Sequence, residues 1–255
     1  MEDSIKAAAV VERDFRVFFA DRYMIVIMFV NFMIDLGVSG LSLGHMITNL
    51  GFSYFLYIAP GANLITATVA AFQSGRDVWR ERIIQDTQQY LLTLPVRKNV
   101  FAVSRLFSGM LRTLVTTLPG TIVIALLYGL SFPYFLVALL ILLVYSGAVA
   151  GLSVAAASMA NSLELFATVR STVQVYLSFF STQFYPAGSM PSYVAAASNF
   201  NPMTWALVLF RELPGSLNGA LRTGPLDITQ FAYLAALSAV LMFVGFLLYR
   251  RTMEY

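Results

Sequence analysis

The chain has no cysteine and one histidine, His45. The first absence removes disulfides, thiol nucleophiles and thiolate metal sites. The second removes a histidine-built metal centre within one chain. Charge is also scarce: 11% of the 255 residues are Asp, Glu, Lys or Arg, against about 25% in an ordinary soluble domain. No G-x-x-x-x-G-K-[ST] stretch occurs, so ATP is not bound in the P-loop manner, and no H-E-x-x-H helix occurs either. The net charge of +3 is small and its basic residues are gathered at a few places, which points to membrane topology rather than nucleic-acid binding.

What is present is apolar. Hydrophobic residues make up 58% and the mean hydropathy is +0.74. A spanning helix takes roughly 20 apolar residues, so this length admits about six with short loops. In residues 1–22, Ile5, Ala8, Val11, Phe15 and Phe18 recur at helical spacing, with Lys6, Arg13, Asp14 and Arg16 off that face. This predicts an amphipathic helix in the cytoplasmic interface rather than a signal peptide. Spans are predicted over 23–43, 54–74, 100–130, 134–159, 165–185 and 228–249. In the first, Asn31, Asp35, Ser39 and Ser42 share one face, and an ionisable residue there should look into the bundle or a wet cavity. Asp35 fits equally a polar contact on a path or a structural carboxyl. The loop through His45 and Asn49 has no basic residue and reads as external.

Pro60-Gly61 should bend the second span or restart it, and Pro119-Gly120 should kink the third. Arg105 and Arg112, in the first half of that third span, are expected to snorkel back to the headgroups. Gly147 and Gly151 form a G-x-x-x-G, read as close packing within the bundle rather than a dimer motif. Between the fifth and last spans, residues 186–227 hold two apolar stretches too short to cross. With Asn201 as an N-cap and Pro202 at the first helical position, they suggest two re-entrant helices and an external loop.

The most polar stretch is an island over residues 76–98, opening with Arg76-Asp77-Val78-Trp79-Arg80-Glu81-Arg82. Each charge at a bilayer centre costs roughly 2.5–3.5 kcal/mol on insertion scales, so the island lies in water. In this threading every Lys and Arg falls inside or at the inner edge, except Arg211 and Arg222. That asymmetry places both termini in the cytoplasm.

Two stretches carry a resemblance. Arg80-Glu81-Arg82 is followed by Tyr90-Leu91-Leu92-Thr93-Leu94-Pro95-Val96. After the fifth span come Phe184-Tyr185-Pro186, Met190-Pro191, Asn201-Pro202-Met203-Thr204 and Arg211. In this order they resemble the membrane subunit of ABC type-2 exporters, with one departure at Asp86-Thr87, where that family often has glycine. The resemblance implies an all-α polytopic fold over residues 1–255: an interfacial helix, six spans, a coupling region and paired re-entrant helices. It implies a non-catalytic permease in the plasma membrane of a prokaryote, as a homo- or heterodimer among membrane lipid. Two cytosolic ABC ATPase subunits would carry the ATP and Mg. Arg76, Trp79, Arg80, Glu81, Arg82, Tyr90, Leu91, Leu92 and Pro95 would belong to ATPase coupling. Asn31, Asp35, Asn63, Gln174, Phe179 and Phe180 would line the substrate path. Phe184, Tyr185, Pro186, Pro191, Asn201 and Pro202 would form an external gate. The cargo would be amphipathic or lipid-like and would leave the cytoplasm or inner leaflet.

The competing readings are a motor-independent channel and a membrane-embedded enzyme. Gly37-Val38-Ser39-Gly40 matches the G-x-S-G of rhomboid intramembrane proteases. A serine nucleophile needs a base within reach, and His45 lies roughly 240° further round a continuing helix. No other convergent acid/base set occurs across the spans.

Overall fold

The computed structural model describes residues 2–20, 23–42, 44, 53–85, 97–184, 188, 190–214 and 227–253. Among them are nine α-helices and no strand. They are α1 (Glu2–Ala20), α2 (Tyr23–Gly37, extended by a π-helical turn Val38–Ser42), α3 (Tyr54–Ile83), α4 (Lys98–Tyr128) and α5 (Phe132–Met159). Then follow α6 (Leu163–Phe179), α7 (Ser192–Ser198), α8 (Pro202–Glu212) and α9 (Ile228–Arg251). The loop with His45 and Asn49, the Tyr90–Pro95 motif, and Tyr185, Pro186 and Arg222 lie outside the described residues.

Among the described residues, five helices are long and apolar enough to cross a membrane: α2 with its π turn, α3, α4, α5 and α9. The chain is thus an all-α, multi-pass membrane bundle. α3 is its axis, buried along most of its apolar length, whereas α2 and α9 bury little of theirs. Leu64, Ala67 and Ala71 of α3 meet Ile141, Tyr145 and Val149 of α5 and Met203, Leu207 and Phe210 of α8 in the central core.

The helix of the second span runs on past residue 74, unbroken through the first half of the island to Ile83. Arg, Glu and Trp are adequate helix formers, and Arg80 and Arg82 in the last turn oppose the negative end of the helix dipole. Pro60 lies inside α3 without ending it. A proline leaves the carbonyl four residues earlier without its helical donor. Here that carbonyl is Leu56's, and the Tyr128 hydroxyl donates to it at 3.0 Å. Helix α4 likewise continues through Pro119.

Glycines set the closest approach. A Cβ on Gly151 of α5 would fall 2.5 Å from the Leu241 carbonyl oxygen of α9, and one on Gly245 would fall 2.5 Å from the Gly151 carbonyl oxygen. The G-x-x-x-G therefore packs α5 against α9 within the chain, as its small residues allow. At the start of α9, Asp227 caps the helix. The Thr229 N–H donates to its Oδ1 at 2.8 Å, which holds that carboxyl below the usual carboxylate range.

Candidate functional site

The charged end of α3 is held from three sides. Trp79 is buried, and its indole N–H donates to the Ala160 carbonyl at 3.1 Å. Arg82 donates to the carbonyls of Ser158 at 2.7 Å and Ala160 at 2.5 Å. These acceptors lie at the C-terminus of α5, where the last carbonyls have no intrahelical donor. Trp79 and Arg82 thus supply a cap from another helix. Arg76 and Arg80 point the other way and are exposed.

Beside them lies a buried ion network. Arg105 of α4 donates to Asp14 of α1 at 2.5 Å and to Glu81 of α3 at 2.5 Å. Arg13 of α1 reaches the other Glu81 oxygen at 2.8 Å. The side chains of Arg105 and Asp14 are only 5% and 6% exposed. A second pair joins Arg112 to Asp77 at 2.9 Å, with the Arg112 guanidinium 5.0 Å from the centre of the Phe18 ring. Removing one partner of a pair buried on both sides, as Arg105–Asp14 is, costs about 3–5 kcal/mol, although the intact pair adds little net stability. What the network gives is register: it locks α1, α3 and α4 at one relative position.

This corrects two expectations. Arg105 and Arg112 do not snorkel; both are buried and turned sideways onto carboxylates. Asp14 is not on the polar face of α1, because the inward stripe runs through Val10, Asp14 and Phe18. The orientation of α1 follows its ion pairs as well as its apolar residues. The network went unseen because its members are 24 to 91 positions apart. The available signal was that an arginine inside a span needs a carboxylate partner.

The opposite end is built on Asn201 and Arg211. The Asn201 Oδ1 accepts the Met203 N–H at 2.9 Å and so caps α8. Its Nδ2 donates to the carbonyls of Leu177 and Phe180, both at 3.0 Å, and to Tyr176 at 3.3 Å, which close the end of α6. One amide therefore ends one helix and begins another. Arg211 is buried and donates to Thr182 Oγ1 at 3.0 Å and to the Tyr57 carbonyl at 3.2 Å. Its guanidinium lies 3.6 Å from the centre of the Tyr57 ring. The Tyr57 hydroxyl in turn donates to the Thr182 carbonyl at 2.7 Å. Pro202 is buried at the start of α8, and Pro191 is exposed just before α7. Phe184 packs on Phe179, ring centres 5.5 Å apart.

The residues singled out for a path separate into two groups. Asn31 is exposed and Asp35 half-buried on α2; Phe179 is exposed, and Gln174 and Phe180 half-buried, along α6 and its end. Asn63 stands apart: it is fully buried in α3 and donates to Thr121 Oγ1 of α4 at 2.9 Å, a packing contact between two helices. Among the described residues, no group of three or more His, Asp or Glu side chains is placed to hold a metal ion.

The family profile described as "ABC-2 type transporter" matches residues 6–213. No curated protein matches the chain.

Proposed function

Since the chain belongs to the ABC-2 type transporter family, as a non-catalytic membrane permease subunit, we propose that the charged end of α3 is where it meets its motor. The observation that carries this is the division of labour within about two helical turns. Trp79, Glu81 and Arg82 face inward and fasten the segment, while Arg76 and Arg80 face out, with Ile84 exposed beside them. A force applied there passes through Glu81 and Arg105 to α1 and α4, and through Arg82 to α5. Tyr90, Leu91, Leu92 and Pro95, following in sequence, would complete the surface. The partner is a pair of cytosolic ABC ATPases that hold the ATP and Mg. ATP binding must favour one state of the permease over another, or nothing moves.

In this reading the chain is one transport domain over residues 1–255, and α6 with residues 181–184 makes the sixth crossing. The short α7 and α8 would form a re-entrant pair on the outer side, with Phe184, Tyr185, Pro186, Pro191, Asn201 and Pro202 at the gate. The bias of Lys and Arg puts both termini in the cytoplasm, with the plasma membrane of a prokaryote as the setting. A second permease copy or a homologous partner would face α2 and α6. Asn31, Asp35, Gln174, Phe179 and Phe180 would look onto the path of an amphipathic or lipid-like cargo.

The test is Arg80→Glu. It leaves every inward contact in place and should abolish co-purification of the ATPase and cargo-dependent ATP hydrolysis, while the permease still inserts and elutes as a single species. A variant that binds its ATPase and transports as the parent does would refute the docking surface.

A further inference from the structure

Between the ends of α3, α5 and α9 lies an open cleft of about 350 Å³. Its polar wall is Arg82, Arg251 and Thr252, and its apolar wall is Ile83, Met159 and Leu248. We propose that it binds one anionic phospholipid, with the phosphodiester between Arg82 and Arg251 and an acyl chain along α9. This site goes beyond the coupling role.

Charge comes first. Arg82 donates to the Ser158 and Ala160 carbonyls, which are dipoles and leave its positive charge standing. Arg251 is exposed in the last turn of α9. Among the described residues, no carboxylate lines the cleft. Helix ends usually discourage anions on the C-terminal side. Here the α5 carbonyls are covered by Trp79 and Arg82, and the Tyr249 carbonyl of α9 by the Thr252 hydroxyl at 2.7 Å. Basic pockets of this kind between helices at the cytoplasmic edge suit anionic headgroups.

Apolar surface identifies the rest of the ligand. Ile83 and Met159 in the wall are 42% and 65% exposed, a poor fit to a small soluble anion. Val240, Phe243, Val244 and Leu247 continue from the cleft as one exposed face of α9. From residue 240 to residue 251 a helix rises about 16 Å. That equals about half of a 30 Å hydrocarbon core, the depth of one leaflet. A stripe of that length ending in an arginine matches a lipid, with tail and head at the right ends. A soluble protein partner would find the stripe at membrane depth and out of reach.

Native mass spectrometry of the purified full chain, offered equal phosphatidylglycerol and phosphatidylcholine, tests this. The parent should retain the anionic lipid about twenty-fivefold over the zwitterionic one, because each of the two arginines near such a charge contributes about fivefold. Arg251→Gln should cut that ratio about fivefold; its side chain is exposed, so folding is not at stake. Arg80→Gln removes a neighbouring guanidinium outside the cleft and should leave the ratio unchanged. An Arg251→Gln ratio equal to the parent's overturns the proposal. So does displacement by excess glycerol phosphate, which would make the site one for a free anion. Loss of the lipid when the ATPase subunit binds would also overturn it, by making the cleft a protein contact. The measurement is made first on the permease alone, so its failure leaves the coupling role untouched.

Discussion

The two ends of the bundle hold their arginines in opposite ways. At the α3 end, Arg105 lies between two carboxylates from two other helices, Asp14 and Glu81, with Arg13 adding a second cation. At the Asn201 end, Arg211 rests on the Tyr57 ring and donates to a hydroxyl and a carbonyl. The first arrangement joins opposite charges; the second uses the flat face and fork of a guanidinium. Charge balance tolerates a coordinated exchange of partners; a stacked planar fork does not. The contrast fits a force-bearing joint at one end and a fixed frame at the other.

The largest expected effect breaks the balance. Arg105→Ala leaves Asp14 and Glu81 buried with too little compensation, and should cost about 3–5 kcal/mol, read as a lower unfolding midpoint in detergent. Replacing Asp14, Glu81 and Arg105 together by Leu, Met and Met should recover most of that stability while uncoupling ATP hydrolysis from transport. If the triple variant is no better than Arg105→Ala, charge balance is not what the joint depends on. Next is Arg211→Lys. It keeps the charge but loses the fork and the ring contact, at about 2–3 kcal/mol in the same assay.

Asn201→Asp sharpens the frame side further. It preserves the cap on α8 but turns a donor into an acceptor facing the α6 carbonyls. A loss of about 1–2 kcal/mol is expected, where Asn201→Ser, which also caps, loses less. Tyr128→Phe should cost about 1 kcal/mol by leaving the Leu56 carbonyl without a donor. The smallest effect is Arg16→Ala. Its ion pair with Glu12 is exposed on both sides, so the unfolding midpoint should not move measurably.

The helical framework was legible because hydropathy and turn chemistry are local. The Asn201-Pro202 pair announces a helix start whatever surrounds it, and α8 begins there. The G-x-x-x-G was likewise legible as packing, although not that its partner would be Gly245. Polarity marks where hydrocarbon ends, not where a helix ends: the island opens at Arg76, and the rod of α3 continues through its first half to Ile83. α3 and α4 both run on through their prolines, and at Pro60 the orphaned Leu56 carbonyl takes its donor from Tyr128, 72 positions away, a partner that no local rule names. The island was located from sequence, but the inward turn of Trp79, Glu81 and Arg82 was not. Their partners Ala160, Arg105, Arg13 and Ser158 come from three other elements, and no spacing rule connects them.

At Gly151 and Gly245 the chain leaves itself no shim. Where two rods meet backbone to backbone, neither side has an atom to trim, so a misfit in one cannot be relieved by the other. α5 and α9 must therefore travel as a single beam, and any alternation between transport states has its pivot outside that pair.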